Sequence, residues 1–435
     1  MLPNFPLTSR DSPRDPNPLQ VALAPRAACT RRPVGSAGHM LWLLDQNSPV
    51  HFAVYAEVEG TTTVKAWRNA LKRVQQRHPN FAVGIASDEV GNLHLQPVAS
   101  ALIPLRIVAG GDLRWELEIE RELATPIDAR RAPLVRAVLL HQARRAVLIL
   151  VAHHAIADGR SLVFAIRDTL RAVSERLLDP PPAIASLDAW FATCPERIDG
   201  DSARQGSVLE GTAKTFNFRR QDGSMPHVRR YALPAEATDT LRQRCRRERA
   251  TIQCALAAAA AAAIRQLSGS SRDSTIRVSS PIDFRKVIGA LDEVAPLAAG
   301  VVVPMEPHAA FWDAARFAKG VIDLARTPSA LATLMGRLGP FMSRRPGVAD
   351  VATFWAERLG YDVNISNLGE IPIETRIGDL KLAAFGGPSI LIGFEGEQGI
   401  GVATVNGSLS LLHTSYKPLP ALPELMEQIL ISACS

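Results

Sequence analysis

Two adjacent histidines directly follow an apolar, strand-like run, and this arrangement constrains the chain more than any other feature. The run covers residues 146–152; His153 and His154 come next, and Asp158 and Gly159 follow shortly after. Because side chains alternate between the two faces of a strand, one histidine can pack into the core while the other faces a cleft. A histidine in a cleft can move a proton near neutral pH. The pattern therefore favours a functional site over two structural core histidines.

A metal site is the competing chemical interpretation of the histidine pair. It would need further ligands nearby, and no HxxxH or HxxE spacing accompanies the pair. The five cysteines are scattered without a CxxC pair, so neither a zinc site nor a disulfide framework fits them. We therefore predict no metal, and a reducing compartment.

Length and charge narrow the class of protein. With 435 residues the chain is long enough for two or three domains, and 47% hydrophobic with 21% charged residues is typical of a globular protein. Only 6% of the residues are aromatic, which argues against a nucleic-acid stacking surface. The net charge of +6 is too small to imply DNA or RNA, but it suits an anionic partner such as a cofactor phosphate or an acidic carrier protein.

Targeting and membrane signals are absent from the sequence pattern. The first residues lack the basic start and apolar core of a signal peptide. An Ala-rich run over residues 254–264 is bounded by Gln253 and Arg265, which makes it too short to span a bilayer. We therefore expect a cytoplasmic protein without a membrane span.

The pattern along the first half predicts a leader and then an ordered lobe. Residues 1–35 are rich in Pro, Arg and Asp and are expected to be a flexible leader. Residues 36–178 form the first lobe. Within it, alternation over residues 50–58 predicts a strand, and a helix with an apolar face follows it. Pro79 ends that helix, because proline disfavours helical geometry at the residue before it.

The motif is expected to lie between a buried strand and an amphipathic helix. Residues 134–140 and 146–152 are predicted as two short strands joined by a polar turn. Apolar residues then recur at helical spacing from Leu162 to Leu177, and Ser161 is positioned to cap this helix. The first N–H groups of such a helix point toward whatever binds there.

The second half is predicted as another lobe. Residues 179–226 are taken as an inter-domain segment, and residues 227–435 as the second lobe. A basic helix over residues 235–249 precedes the Ala-rich helix. Near the end, Asn406 and Gly407 are flanked by apolar runs, which predicts a β-hairpin.

The HHxxxDG spacing resembles the signature of the acyltransferase superfamily that comprises condensation domains and chloramphenicol acetyltransferase-like enzymes. Other landmarks are similar and stand in the family's order, namely Arg77-His78-Pro79, Ala132-Pro133-Leu134-Val135-Arg136, Pro281-Ile282-Asp283-Phe284-Arg285 and Ser366-Asn367-Leu368-Gly369. The last segment is most similar to phthiocerol/phthiodiolone dimycocerosyl transferase-like and alcohol acyltransferase members. The chain departs from the pattern after Pro79, where the usual Leu-Arg is missing, and it lacks the DFGWG segment of plant-type members.

This resemblance implies an α/β fold of layered helices and sheets. It would consist of two chloramphenicol acetyltransferase-like lobes with mixed sheets and an active-site tunnel between them. His154 would be the general base. Asp158 would pair with Arg285 from the second half instead of contacting substrate, and His153 would brace the same loop.

Three further residues receive expectations at this site. Gly159 would serve the tight turn from strand to helix. Ser161 and Asn367 are candidate substrate-binding residues; capping is the alternative for Ser161, and a turn before Leu368 is the alternative for Asn367.

The resemblance also implies the substrates. No cofactor would be bound, and the donor would be an acyl-coenzyme A or an acyl-phosphopantetheine on a carrier protein. The acceptor would be a small alcohol or amine, with an ester as the predicted product and an amide as the alternative. A non-catalytic module that binds a carrier protein is a third possibility. An arginine cluster either receives the anionic donor or is a solvated helix face; its members are Arg242, Arg244, Arg246, Arg247 and Arg249, with Arg229 and Arg230 nearby.

Overall fold

The computed structural model describes residues 30–109, 113–180, 182, 186–194, 216–268 and 273–435. These residues form two lobes, each built around a six-stranded mixed sheet with helices packed on it. A third, three-stranded sheet lies in the first lobe. The predicted α/β class and the two-lobed architecture are therefore confirmed.

The strands are, in chain order, β1 (Arg32–Pro33), β2 (Phe52–Glu59), β3 (Val83–Ser87), β4 (Leu93–Pro97), β5 (Leu105–Val108), β6 (Val135–His141), β7 (Arg145–Ala152), β8 (His227–Leu233), β9 (Ile276–Asp283), β10 (Ala298–Met305), β11 (Val363–Glu370), β12 (Arg376–Ile377), β13 (Leu380–Ser389), β14 (Gln398–Val405) and β15 (Ser408–Ser415). The helices are α1 (Ser36–Asn47), α2 (Val64–Arg77), α3 (Trp115–Ala124), α4 (Gly159–Val173), α5 (Leu187–Thr193), α6 (Ala235–Arg247), α7 (Ile252–Leu267), α8 (Arg285–Ile288), α9 (Phe311–Ala325), α10 (Pro328–Ser343), α11 (Val348–Arg358) and α12 (Leu422–Cys434).

The sheet of the first lobe positions the histidine motif. Its strand order is β12-β13-β2-β7-β6-β5, with β5 parallel to β6 and the other neighbours antiparallel. Every residue of β7 after Arg145 is buried, as expected for a central strand. Helices α2 and α4 pack against each other beside this sheet. The motif thus begins at the end of the best-protected strand of the lobe.

The sheet of the second lobe has the order β10-β9-β11-β14-β15-β8. Strand β11 runs parallel to both β9 and β14. The Ala-rich helix α7 lies in the core of this lobe, in contact with α9 and α12, and small alanine side chains permit that close packing. The predicted hairpin is present between β14 and β15, where Asn406 and Gly407 both have positive φ angles.

The first lobe's sheet contains strands that the sequence assigns to the second lobe, which corrects the predicted boundaries. Strand β13 pairs with β2 along its length, and β12 extends the sheet beyond it. The assignment of all of residues 227–435 to the second lobe is therefore wrong for these two strands. Pairing with β13 covers the edge of β2, which would otherwise expose unpaired backbone groups.

The predicted leader and inter-domain segment each contain ordered elements. Arg32 and Pro33 form β1, which pairs with β4, so the leader does not extend to residue 35; residues 1–29 lie outside the described residues. In the segment 179–226, α5 is helical and Phe218 bridges to Phe394. Parts of that segment also lie outside the described residues.

Helix ends follow the predicted signals with one exception. The Thr63 side chain accepts a hydrogen bond from the Ala66 N–H and caps α2, which ends at Arg77. Helix α4 ends at Val173, so its apolar pattern does not continue to Leu177, which is 91% exposed. Among the described helices, none is by itself long and apolar enough to cross a membrane; α6 and α7, which meet at 100°, pass that test only as a pair.

A buried ion network explains the Arg77-His78-Pro79 element. The Nε of Arg77 donates to Asp168 of α4 at 2.7 Å, and the Nε2 of His78 lies 2.8 Å from the same carboxylate. Arg167 reaches Asp292 of the second half at 2.9 Å. The element therefore holds α2 against α4, and the network continues across the lobes.

A third apolar core joins the two halves of the chain. It is formed by α1 and α5 from the first half and by α10 and α11 from the second. Leu44 and Leu331 are fully buried within it. This core lies beside the main cavity of the molecule.

Candidate active site

His153 faces the core at the end of β7. Its side chain is fully buried, and its Nδ1 accepts a hydrogen bond from the Ala155 N–H at 3.1 Å. The other ring nitrogen lies 3.3 Å from the Asp45 carboxylate. His153 therefore braces the turn after β7, in the position that the sequence predicts for it.

His154 faces the opposite side and lines the main cavity. Its Nδ1 lies 2.9 Å from the Ala157 carbonyl oxygen. A carbonyl oxygen can only accept, so Nδ1 carries the hydrogen and Nε2 carries the free lone pair of the neutral ring. Burial lowers the pKa of His154 below 6.5, and the Asp158 carboxylate opposes part of that effect. The ring is thus set up to accept a proton at Nε2.

The predicted ion pair between Asp158 and Arg285 is present. Both oxygens of Asp158 accept from the guanidinium, at 2.8 Å from Nη1 and 2.9 Å from Nη2. Both side chains are almost completely buried. Burial by itself would raise the pKa of Asp158, but the charge and hydrogen bonds of Arg285 hold it below its ordinary value. Asp158 is therefore an ionised structural group and does not line up as a proton acceptor.

Asp158 is also the cap of α4, a role that the sequence assigns to Ser161. Its Oδ1 accepts from the Ser161 N–H at 2.9 Å, and the Ser161 Oγ accepts from the Asp158 N–H at 3.2 Å, which forms a capping box. Ser161 is fully buried and also lies 3.0 Å from Arg285 Nη2. It contributes to the support of the loop and is outside the cavity wall.

Gly159 is the first residue of α4 and lines the cavity. A Cβ atom at this position would lie 3.0 Å from Leu368 and 3.2 Å from Pro388. The close approach of β11 and β13 to the start of α4 therefore requires glycine, and the positive end of the helix lies beside the cavity.

Asn367 has both of the features that the sequence left open. Its Oδ1 accepts from the Gly369 N–H at 2.8 Å, which forms the turn after Leu368. The residue also lines the main cavity.

The main cavity has a volume of about 1200 Å³ and lies between the lobes. The first lobe contributes His154, Asp158 and Gly159 to its wall, and the second contributes residues of β9, β11, α10 and α11. The predicted position of the site between the lobes therefore agrees with the structure.

A smaller cavity of about 590 Å³ lies on the second-lobe side. It shares Pro281, Arg326, Asn367 and Leu368 with the wall of the main cavity. Its own wall includes the start of α7 and two arginines of α6. The shared residues make the two cavities neighbours on opposite sides of one thin wall.

The structure divides the predicted arginine cluster. Arg242 and Arg246 line the smaller cavity, where Arg326 joins them. Arg244 instead pairs with Glu248 at 3.1 Å, and Arg230 reaches the buried Glu57 at 3.1 Å. Only part of the cluster is therefore placed to meet a ligand in this cavity.

Sequence reasoning missed two polar residues beside the ion pair. Arg160 lines the main cavity and donates to the Leu368 carbonyl at 2.9 Å, which connects α4 to β11. Asp283 accepts from Arg285 Nη1 at 2.9 Å. Their positions directly after Gly159 and just before Arg285 were the available signal. Among the described residues, no group of three or more His, Cys, Asp or Glu side chains could hold a metal ion.

Comparison with known proteins supports this geometry. The condensation-domain family model matches residues 40–182. The chain is 27% identical over 283 residues to a linear gramicidin synthase protein of Brevibacillus parabrevis, which covers 58% of the chain and 4% of that protein. The chain thus spans a small fraction of the length of this curated relative.

Two solved structures share the fold over nearly the whole chain. The first condensation domain of the CDA synthetase has a TM-score of 0.67 and 18% identity, covering 93% of this chain and 96% of that domain. Trichothecene 15-O-acetyltransferase from Fusarium sporotrichioides has a TM-score of 0.67 and 13% identity, covering 93% of this chain and 95% of that enzyme. The chain therefore has the fold of the condensation-domain and chloramphenicol acetyltransferase-like acyltransferase superfamily, and its residues 40–182 match the condensation domain itself.

Proposed function

We propose that the protein is an acyltransferase that moves an acyl group from a coenzyme A or carrier-protein thioester to an acceptor hydroxyl. The observation that carries this proposal is the tautomer of His154, which the Ala157 carbonyl sets so that Nε2 is a free base in the cavity wall. The condensation-domain match supports acyl- or amide-forming condensation in general.

The proposed reaction uses His154 twice. The acceptor oxygen attacks the thioester carbonyl carbon while its proton passes to Nε2 of His154. A carbon–oxygen bond forms and the carbonyl electrons move onto oxygen. When the carbonyl re-forms, the carbon–sulfur bond breaks, and the leaving thiolate takes the proton back from His154. The chain itself forms no covalent intermediate in this scheme.

The surroundings of His154 support this chemistry in two ways. The start of α4 at Gly159 places the positive end of a helix beside the cavity, where negative charge develops on the carbonyl oxygen. Arg285 neutralises the charge of Asp158, so that the nearby carboxylate does not act as the proton acceptor.

Amide formation is the second candidate, with an amine as acceptor at the same site. It is favoured by the relatives, because the linear gramicidin protein and two further matched relatives are named as synthases or synthetases. A carrier-binding module without catalysis is the third candidate.

Mass analysis of the product separates these candidates. Purified protein is incubated with acyl-coenzyme A and a mixed set of alcohols and amines, and released thiol is followed in parallel. An ester product supports the proposal, and an amide product supports the second candidate. Binding of a carrier protein without thiol release from any donor would reject both enzymatic functions.

The smaller cavity is the proposed entrance for the anionic donor. It presents the side chains of Arg242, Arg246 and Arg326 together with the first residues of α7, whose N–H groups favour an anion. Glu370 also lines this cavity and lies 3.9 Å from Arg242, so one acid offsets part of the positive charge.

Arg246→Glu is expected to raise KM for an acyl-coenzyme A donor roughly two- to five-fold with little change in kcat, because one exposed charge contact is reversed. The matched control is Arg247→Glu, which makes the same charge change at an exposed neighbour outside the cavity wall. Steady-state kinetics at low and high salt provide the measurement, and high salt should reduce the difference. Equal effects of the two variants would contradict the entrance.

A further inference from the structure

We propose that the apolar end of the main cavity binds a long apolar chain of the substrate, either aliphatic or aryl. We name this region the chain chamber and define it by Met40, Leu41, Leu334, Leu338, Phe341 and Phe354. This inference rests on the proposed function, because it names the substrate class at the same site.

The chamber is built by helices from both halves of the chain. Helix α1 contributes Met40 and Leu41, α10 contributes Leu334 and Leu338, and α11 contributes Phe354. Phe341 and Phe354 are stacked with their ring centroids 4.7 Å apart and so join α10 to α11. Methionine and aromatic side chains of this kind adapt to apolar ligands of varied shape.

The hydrogen-bonding groups near the chamber are mostly directed elsewhere. Tyr361 donates its hydroxyl hydrogen to the buried Glu397, which also accepts from the N–H groups of Ile392 and Gly393. The charged residues Asp350 and Arg358 of the cavity wall are exposed, which puts them at the rim. The interior wall therefore selects for apolar surface, and polar groups are met near the rim and near His154.

The chamber is continuous with the reacting site. His154 and the residues of the chamber line the same cavity, whose volume of about 1200 Å³ exceeds the roughly 300–1000 Å³ of ordinary small-ligand clefts. A chain attached to the reacting carbonyl or to the acceptor could therefore extend from His154 along α10. An acetyl group would leave most of this apolar wall without a partner.

The experiment measures how affinity depends on chain length. KM is determined for straight-chain acyl-coenzyme A donors from two to twelve carbons, and separately for straight-chain alcohol acceptors of the same lengths. We expect KM to fall by up to about four-fold for each added CH2 in one of the two series, until the chamber is full. The series that responds identifies whether the chain belongs to the donor or the acceptor.

Variants of the wall test the location. Leu334→Trp fills the chamber and is expected to lower the preference for ten over two carbons at least ten-fold, whereas Phe354→Ala should move the optimum to longer chains. The matched control is Leu324→Trp on α9, which is 57% exposed and outside the cavity wall, and it should leave the preference unchanged. Two wall variants with opposite expected effects guard against a fault in the folding of either one.

A binding measurement separates this inference from the proposed function. Non-hydrolysable alkyl thioethers of coenzyme A and free alcohols are titrated into the protein by calorimetry, which needs no turnover. Length-dependent binding that Leu334→Trp abolishes, without turnover of any donor, would keep the chamber and reject the function. Turnover with neither series dependent on length would overturn the chamber and leave the function standing.

Discussion

Replacing His154 with alanine is expected to lower kcat/KM by about 10²–10⁴-fold, because the substitution removes the base that takes the acceptor proton. The folded structure should survive, since His154 lies in the cavity wall and its Nδ1 bonds only locally, to the Ala157 carbonyl. Turnover of the product identified for the wild-type protein provides the measurement, together with a thermal unfolding curve for each variant.

His153→Ala is the matched comparison because it removes the neighbouring histidine from the same loop. His153 is fully buried and accepts from the Ala155 N–H, so its loss should lower the melting temperature more than the loss of His154 does. Full turnover by His154→Ala with the true substrates would reject the proposed mechanism.

The pH profile provides a second test of the same residue. The base must be neutral to act, so kcat/KM falls on the acid side of its pKa. Burial lowers the pKa of His154 in the free protein, with Asp158 opposing part of the effect. We therefore expect the acid limb of kcat/KM to lie below pH 6.5, where it should decline ten-fold per pH unit. An acid limb well above that pH would point to another group.

Arg285→Ala is expected to cost about 3–5 kcal/mol of folding free energy, because it leaves the Asp158 carboxylate buried without its cation. The loss should be large because Arg285 connects the lobes through Asp158, Ser161 and backbone carbonyls of the loop between β9 and β10. Urea unfolding at neutral pH provides the measurement. Activity is then measured under conditions in which the variant remains folded.

Surface and pairwise variants sharpen this second prediction. Arg316→Ala removes an exposed arginine that pairs with Glu248 and Asp313, and it should change the unfolding midpoint little. Pairing Arg285→Met with Asp158→Asn should recover part of the stability lost by either single variant, since neither partner then leaves a buried charge. Strictly additive losses in the double variant would show that the two side chains do not act as a pair.

The ion pair also determines a dependence of stability on pH. The pKa of Asp158 is lowered on folding from an ordinary value of 3.8, although burial alone would raise it. Its contribution is therefore complete above about pH 4 and is lost as the pH falls through the lower folded-state value. Wild-type stability should decline in this acid range more steeply than that of Asp158→Asn.

Much of the fold around the motif could be predicted because its signals are local. The apolar run of β7, the Thr63 cap of α2 and the hairpin turn at Asn406 each depend on residues a few positions apart. The cap of α4 was predicted less well. Asp158 and Ser161 can both cap a helix, and only the position of Arg285 and the buried surroundings make Asp158 the cap and Ser161 its support.

The long-range features could not be predicted in the same way. Strand β13 joins the first lobe's sheet although it lies far along the chain from β2, and no local pattern encodes the partner of a strand edge. The division of the arginines depends on which side of α6 meets α7 and α9, and the helix pattern alone leaves that open.

By itself, the sequence determined which side chains form the candidate site and where along the chain they lie. Alternation sends His153 and His154 to opposite sides of a strand end, and the resemblance of the motifs pairs Asp158 with Arg285. Only the tertiary structure decided what the site can hold. The chain chamber and the two cavities exist because helices distant in sequence pack around empty space, and the size and polarity of that space depend on all of their side chains together.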